Sequence, residues 1–166
     1  MIGNTGSGKT TFSRALAQQL GVPHVELDAL NWKSGWVIAS HDEIRAQVEE
    51  VLLGHGWVID GNYHDPLGST VLDQADEIVW LDLPFATTFW WLLRRTLRRL
   101  RTREQLWGTT NAETLRRSFM SRDSILWYLL KTYRRRRRSC IERLNGMPHV
   151  QLRSAREMQQ YVAEAH

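Results

Sequence analysis

Gly3-Asn4-Thr5-Gly6-Ser7-Gly8-Lys9-Thr10 is the stretch on which the fold of this chain turns. It reads GxxxxGK[ST], and each part of that pattern has a physical reason. Glycines let the backbone curl until successive amide N–H groups point inward. Lys9 then reaches the β and γ phosphates of a nucleotide, Thr10 ligates Mg²⁺, and the helix that follows adds the positive end of its dipole. With glycine at about 7% of ordinary sequence, a chance match in a chain of this length arises roughly once in a hundred. The eight residues and Thr11 are therefore predicted to hold ATP by its phosphates. Such a loop follows a buried central strand, and only Met1 and Ile2 stand before Gly3. The first strand is expected to be cut short.

Outward from the loop, helix and strand signals alternate. Apolar Phe12, Ala15, Leu16 and Ala17 predict a helix from Lys9 to Leu20, stopped by Gly21 and Pro23. His24 to Leu27 reads as a short strand that Asp28 ends. Ser40 with Glu43 three residues on is a capping box for a helix to Leu53. Trp57 to Asp60 and Glu77 to Leu83 are compact apolar runs with acids at their ends, Asp60 and Asp82. Phe85 to Arg103 and Ser121 to Leu144 read as long helices. Val150 to Leu152 is a last strand, and Ser154 with Glu157 opens a terminal helix. Apolar strands without in/out alternation imply a parallel sheet covered on both faces, with ligands at the strand C-termini. The expectation is a three-layer α/β P-loop NTPase fold in one domain, residues 1–166. Its five-stranded parallel sheet would run 2-3-1-4-5, numbering the predicted strands along the chain.

Composition narrows the classes. The 166 residues are 42% hydrophobic and 24% charged, which argues against a disordered or fibrous chain. No apolar run approaches the roughly 20 residues of a membrane helix, and no leader pattern opens the sequence, so a cytoplasmic location is expected. The lone Cys140 and six scattered His give no zinc-type spacing, so any metal is expected to arrive with the nucleotide. The net charge of +4 hides a polarity: residues 94–138 carry fifteen Lys and Arg against Glu104, Glu113 and Asp123, leaving a net −8 elsewhere. An anionic partner is expected for that block.

Within P-loop proteins, GTPases read guanine with NKxD, and Asn31-Trp32-Lys33-Ser34 lacks the acid. AAA-type and motor ATPases commonly follow a strand-end Asp with Glu to activate water, whereas Gly61 follows Asp60 and Leu83 follows Asp82. Small-molecule kinases need an acid beside the acceptor, an acid for Mg²⁺ and arginines near the transferring phosphoryl group, and this chain offers all three.

The strings HVELDALNW (24–32), GWVIDGNY (56–63), ADEIVWLDLP (75–84), SRDSILW (121–127) and TYRRRRR (132–138) resemble bacterial adenylate-kinase-like proteins. That group is also called the DNA topology modulation (FlaR-like) proteins. The likeness spans nearly the whole chain and implies the nucleoside-monophosphate-kinase fold. GWVIDG is similar to the adenylate kinase segment whose Asp organises Mg²⁺ through water, which assigns Asp60 with Thr10 to the metal. Glu26 and Asp28 resemble the acidic pair of shikimate-kinase-like enzymes, where the later acid meets the acceptor, which assigns Asp28. Arg94 or Arg95 with Arg98 or Arg99, four apart, are similar to the arginines that enter the adenylate kinase lid. The catalytic set implied is Lys9, Asp28, Asp60, Arg95 and Arg99, with a basic helical lid over 94–138. Adenylate kinases continue the DG with Phe-Pro-Arg, which holds the AMP phosphate, and here Asn62-Tyr63 stand instead. The resemblance therefore leaves the acceptor open.

Other residues carry plainer readings. Asp82 is expected to be structural. Trp32 and Trp36 suit either stacking on an acceptor or core packing. Trp90, Trp91, Trp127 and Tyr128 are read as core, and His64 as a surface loop residue. Five arginines in a row, Arg134 to Arg138, go round a helix, so at most two face one site; the rest suit solvent, nucleic-acid phosphates, an anionic membrane surface or a helix C-terminus. The reading so reached is a phosphotransferase using Mg-ATP and a small acceptor. Its rivals are a nucleic-acid-associated ATP-binding regulator and a nucleotide-binding module without turnover.

Overall fold

Helix α1 (Lys9–Leu20) begins where the glycine-rich loop ends and stops at Gly21, whose left-handed backbone (φ 67°) returns its N–H to the last turn. The computed structural model describes residues 1–33, 37–61, 66–102 and 124–165. Trp36, Asn62, Tyr63 and His64 lie outside them, as do residues 103–123 of the expected lid.

Five short strands pair in parallel. β1 (Ile2–Gly3) pairs with β6 (Val79–Leu81), which pairs with β7 (Val150–Leu152); β2 (His24–Glu26) pairs with β5 (Val58–Asp60). The expected continuous five-stranded sheet is thus observed as two ladders, β1-β6-β7 and β2-β5. The physical reason is the length of β1, two residues. Where β1 meets β5 it makes two bonds: the Met1 amine donates to the Ile59 carbonyl (2.7 Å) and the Gly61 N–H to the Met1 carbonyl (3.4 Å). These are the two bonds a parallel ladder makes around one residue.

Alternate residues of the central strands enter two apolar clusters. Val58, Val79 and Leu81 pack with Phe12, Leu16 and Ala17 of α1 and Met158 of α7 (Ala155–Glu164). Ile59, Ile78 and Trp80 pack with Ile44 and Val48 of α3 (His41–Leu52), Val71 and Leu72 of α4 (Pro66–Asp73), and Leu144 of α6 (Ile125–Leu144). Both faces of the strands are covered, which is why their sequences read as unbroken apolar runs. The capping box at Ser40 and Glu43 is formed, and Ser154 caps α7 by accepting from the Glu157 N–H.

Three elements were absent from the sequence reading: α4, a short helix α2 (Leu27–Asn31), and an antiparallel ribbon of β3 (Trp32–Lys33) and β4 (Val37–Ile38). Asp28 consequently lies in the first turn of α2 and does not end a strand. Helix α5 (Phe85–Thr102) buries Thr88, Leu92 and Thr96, spaced four apart. That face leaves Trp90 62% exposed, and Trp127 on α6 is 46% exposed; neither is a core residue. Among the described residues no helix is long and apolar enough to cross a membrane.

Candidate functional site

The loop is held tight from both sides. Gly6 sits at φ 83°, and a Cβ there would lie 2.8 Å from Leu92 Cβ and 3.0 Å from the Thr88 carbonyl oxygen of α5. Only glycine combines that backbone with that approach. Beside Gly8, which precedes α1, lies the ring of Trp91. Trp91 is thus half-buried against the loop. Lys9 is buried and donates from Nζ to the carbonyls of Gly3 (3.0 Å) and Asn4 (3.1 Å). Asn4 Oδ1 and Ser7 Oγ are buried with no hydrogen-bond partner among the described residues. A loop with a lysine folded into it and a buried Ser7 hydroxyl that can donate fits a polyanion such as triphosphate; the Asn4 amide oxygen, an acceptor, adds nothing to that fit. Thr5, Gly6, Gly8 and Thr10 are partly open, and Thr11 is exposed on the outer side of the first turn.

Across from the loop stand two strand-end acids. The parallel register sets Glu26 opposite Asp60. Thr10 Oγ1 lies 3.2 Å from Glu26 Oε1 and 3.4 Å from Asp60 Oδ1, while Asp60 Oδ2 is 2.6 Å from His24 Nε2. The Thr10 hydroxyl has one proton to donate and a lone pair to spare. It can bond a carboxylate and ligate a cation at once. The glycine after Asp60 has a local cause: a Cβ on Gly61 would come 2.7 Å from Leu27 Cβ, where the chain leaves β2. Thr10, Glu26 and Asp60 supply hard oxygen donors of the kind Mg²⁺ takes. No group of three or more His, Cys, Asp or Glu among the described residues could hold a metal by itself. The donor set therefore fits a Mg²⁺ that completes its shell with phosphate and water.

Electrostatics ties further residues to the loop. Burial pushes the Lys9 ammonium below its usual range; the carboxylates of Asp28 and then Asp60 pull it up, and the charges of Arg136 and Arg95 push it down. Asp28 is exposed and has the larger of the two carboxylate effects on Lys9. Of the five α5 arginines, Arg95 and Arg99 are half-buried on the side that carries Trp91, whereas Arg94, Arg98 and Arg101 are exposed.

The arginine run divides in the same way. Arg134, Arg135 and Arg138 are exposed; Arg136 and Arg137 turn inward. Arg137 makes a two-pronged ion pair with the buried Asp82, Nε to Oδ1 and an amino group to Oδ2, both 2.7 Å, and Gln151 Nε2 adds a third bond at 2.8 Å. This pairing with Asp82 holds the guanidinium pKa above its ordinary value. Asp82 thus locks α6 to β6 and β7. Arg136 bonds the Tyr128 hydroxyl and stacks on its ring at 5.1 Å. Sequence reasoning named neither His24 nor Arg136. Their signal is weak: His24 precedes Glu26 by two, hence on the same side of a strand, but only the register shows that both face Asp60.

With this geometry in hand, three comparisons bear on the chain. A protein-family model, the ATPase family associated with various cellular activities (AAA), matches residues 1–55. No curated protein matches. Among solved structures, shikimate kinase from Bacteroides thetaiotaomicron is similar at a TM-score of 0.55 and 16% identity, over 98% of this chain and 92% of that one. The P-loop fold, with a parallel sheet and flanking helices, is thereby shared with a kinase along almost the full length.

Proposed function

We propose that this chain is a phosphotransferase that binds Mg-ATP through Gly3–Thr10 and passes the γ-phosphoryl group to a small-molecule acceptor beside Asp28. The observation that carries the reading is the Thr10 hydroxyl set between Glu26 and Asp60, with Lys9 buried in the loop behind it. Lys9 would meet the β and γ phosphates. Thr10 and Asp60, with Glu26 beside them, would hold Mg²⁺, which when bound neutralises phosphate charge. Transfer forms a bond from the acceptor oxygen to the γ phosphorus and breaks the bond to the bridging oxygen of ADP. The acceptor proton goes to the Asp28 carboxylate, which is exposed at the head of α2 and close enough to influence Lys9. Arg95 and Arg99 supply positive charge from α5 on the loop side. Two features favour a kinase over a water-activating ATPase: Gly61 follows Asp60, and Asp82 is already bound to Arg137.

The test is equilibrium binding of Mg-ATP by the whole chain and by Lys9→Ala, followed by ADP release with panels of sugars, nucleosides and nucleotides. Lys9→Ala is expected to weaken binding about a hundredfold, the scale of a lost charge-assisted bond pair. Acceptor-dependent ADP release that falls in Asp28→Asn, with ATP affinity intact, is expected for a kinase. Unchanged ATP affinity in Lys9→Ala sinks the reading.

A second reading, a nucleic-acid-associated regulator, draws on the exposed Arg94, Arg98, Arg134, Arg135 and Arg138. Nucleic-acid affinity at physiological salt, falling steeply with added salt and indifferent to ATP, would favour it.

A further inference from the structure

We infer that His24 is a positioning residue for Asp60, fixing the carboxylate so that one oxygen is reserved for the metal. The inference rests on the Mg-ATP reading above. The two oxygens of Asp60 have separate partners: Oδ2 meets His24 Nε2 at 2.6 Å, and Oδ1 faces Thr10 Oγ1 at 3.4 Å. The side chains are 14% and 2% exposed, so water competes little for the short bond. It arises from the ladder itself. His24 pairs with Val58 and Glu26 with Asp60, so His24 reaches diagonally across the β2–β5 pair to a carboxylate two residues further along. With Oδ2 tied, rotation of the carboxylate about its last torsion is blocked, and Oδ1 stays on the side of Thr10 and Glu26. An untied carboxylate at a strand end would offer either oxygen and sample both. Outer hydrogen bonds of this kind typically govern metal affinity by 10- to 100-fold.

A cross-strand pair that merely strengthens the ladder predicts something else: lower stability with no preference for one ligand state. The two separate in a binding experiment. Mn²⁺, standing in for Mg²⁺, is titrated into the protein with ADP and followed by its electron paramagnetic resonance signal, and ADP affinity is measured in EDTA. His24→Leu should weaken Mn²⁺ binding about tenfold while metal-free ADP affinity stays within about twofold. His24→Gln, whose amide nitrogen sits near the place of Nε2 and can donate, should recover most of the loss. If the leucine variant does not fold, His24→Asn, too short to reach, carries the same expectation. Unaltered Mn²⁺ affinity in the leucine or asparagine variant overturns the inference, as does a glutamine variant as weak as leucine. An unaltered chain that binds neither ADP nor Mn²⁺ instead removes the Mg-ATP reading, and the inference goes with it.

Discussion

The two ends of the parallel strands are built to different standards. At the C-terminal end, buried charge is matched: Asp60 faces Thr10 and His24, Asp82 is held by Arg137 and Gln151, and Lys9 bonds two carbonyls. At the N-terminal end, below Met1, a cavity of about 470 Å³ opens between Val58 and Ile59 of β5 and Ile78 and Val79 of β6. Leu16 and Tyr161 close one side of it. Most side chains lining it are apolar, among them Val71 and Leu72 of α4. The contrast is between an end where each buried charged group has named partners and an end where space remains beside the strands.

The largest expected effect tests the loose end through pH. Burial lowers the Met1 amine from 8.0 to about 5, Asp60 raises it in part, and Lys9 lowers it again. A base with a depressed folded pKa binds fewer protons folded than unfolded between those values. Stability should therefore rise with pH from about 5 to 8 and level off above. The full shift corresponds to at most about 4 kcal/mol, less in practice because Met1 as a residue is only half-buried. Urea unfolding at pH 5.5 and 8.5 measures it, and acetylating the amine should flatten the profile. A flat profile for the free amine would mean that this end is wetter than its geometry indicates.

The next effect tests the matched end. Arg137→Ala strands the Asp82 carboxylate, 2% exposed, without its main partner, whereas Arg138→Ala removes only an exposed charge. Because the Arg137 side chain is itself 42% exposed, the loss should be about 2–3 kcal/mol, below that of a fully buried pair. Arg138→Ala should cost under about 0.5 kcal/mol. Comparable losses in the two variants would erase the distinction between structural and solvated arginines.

How much of this was legible beforehand follows the range of the interactions. Gly3–Thr10, the Ser40 and Ser154 caps and the apolar strands are local patterns, and all were readable. The partners of the carboxylates were not. Which acid meets Thr10, and that Arg137 in a run of five is the one that binds Asp82, depend on strand register and helix rotation, each set by packing far away in sequence. The helix α2 was missed because Leu27–Asn31 is one turn long, too short for a periodic signal. Trp90 was misread because an apolar stretch of helix gives no phase by itself; burial of Thr88 and Leu92 sets it.

The smallest effect probes whether the loose end is a continuation of β1. The register Ile2↔Trp80 places Met1 opposite Val79 and a residue before it opposite Ile78. On the other side, Met1 brackets Asp60, so the same added residue would lie opposite Ile59. Ile2 packs with the cluster under α3 and α4, and Met1 with the one under α1 and α7. Side chains of an added strand would alternate likewise, toward Val71 and Leu72 and then toward Leu16 and Leu20, all of which line the cavity. Burial of such side chains gains about 1.5–3 kcal/mol each, and ordering each residue costs about 1–2. The net for Val-Ile-Val-Ile placed directly before Met1 should be about 1–2 kcal/mol, or a rise in Tm of about 4 °C for a chain of this size. Gly-Ser-Gly-Ser in the same place is the control, since it displaces the amine equally and adds no apolar surface. Measured at pH 9, where the original amine is neutral folded and mostly neutral unfolded, the apolar extension should exceed the polar one by that margin. Hydrogen exchange should also slow at the Val79 amide, which lies at the cavity edge. Equal melting temperatures for the two extensions would show that the cavity is not strand-shaped, and the contrast between the two ends would then be one of solvent access alone.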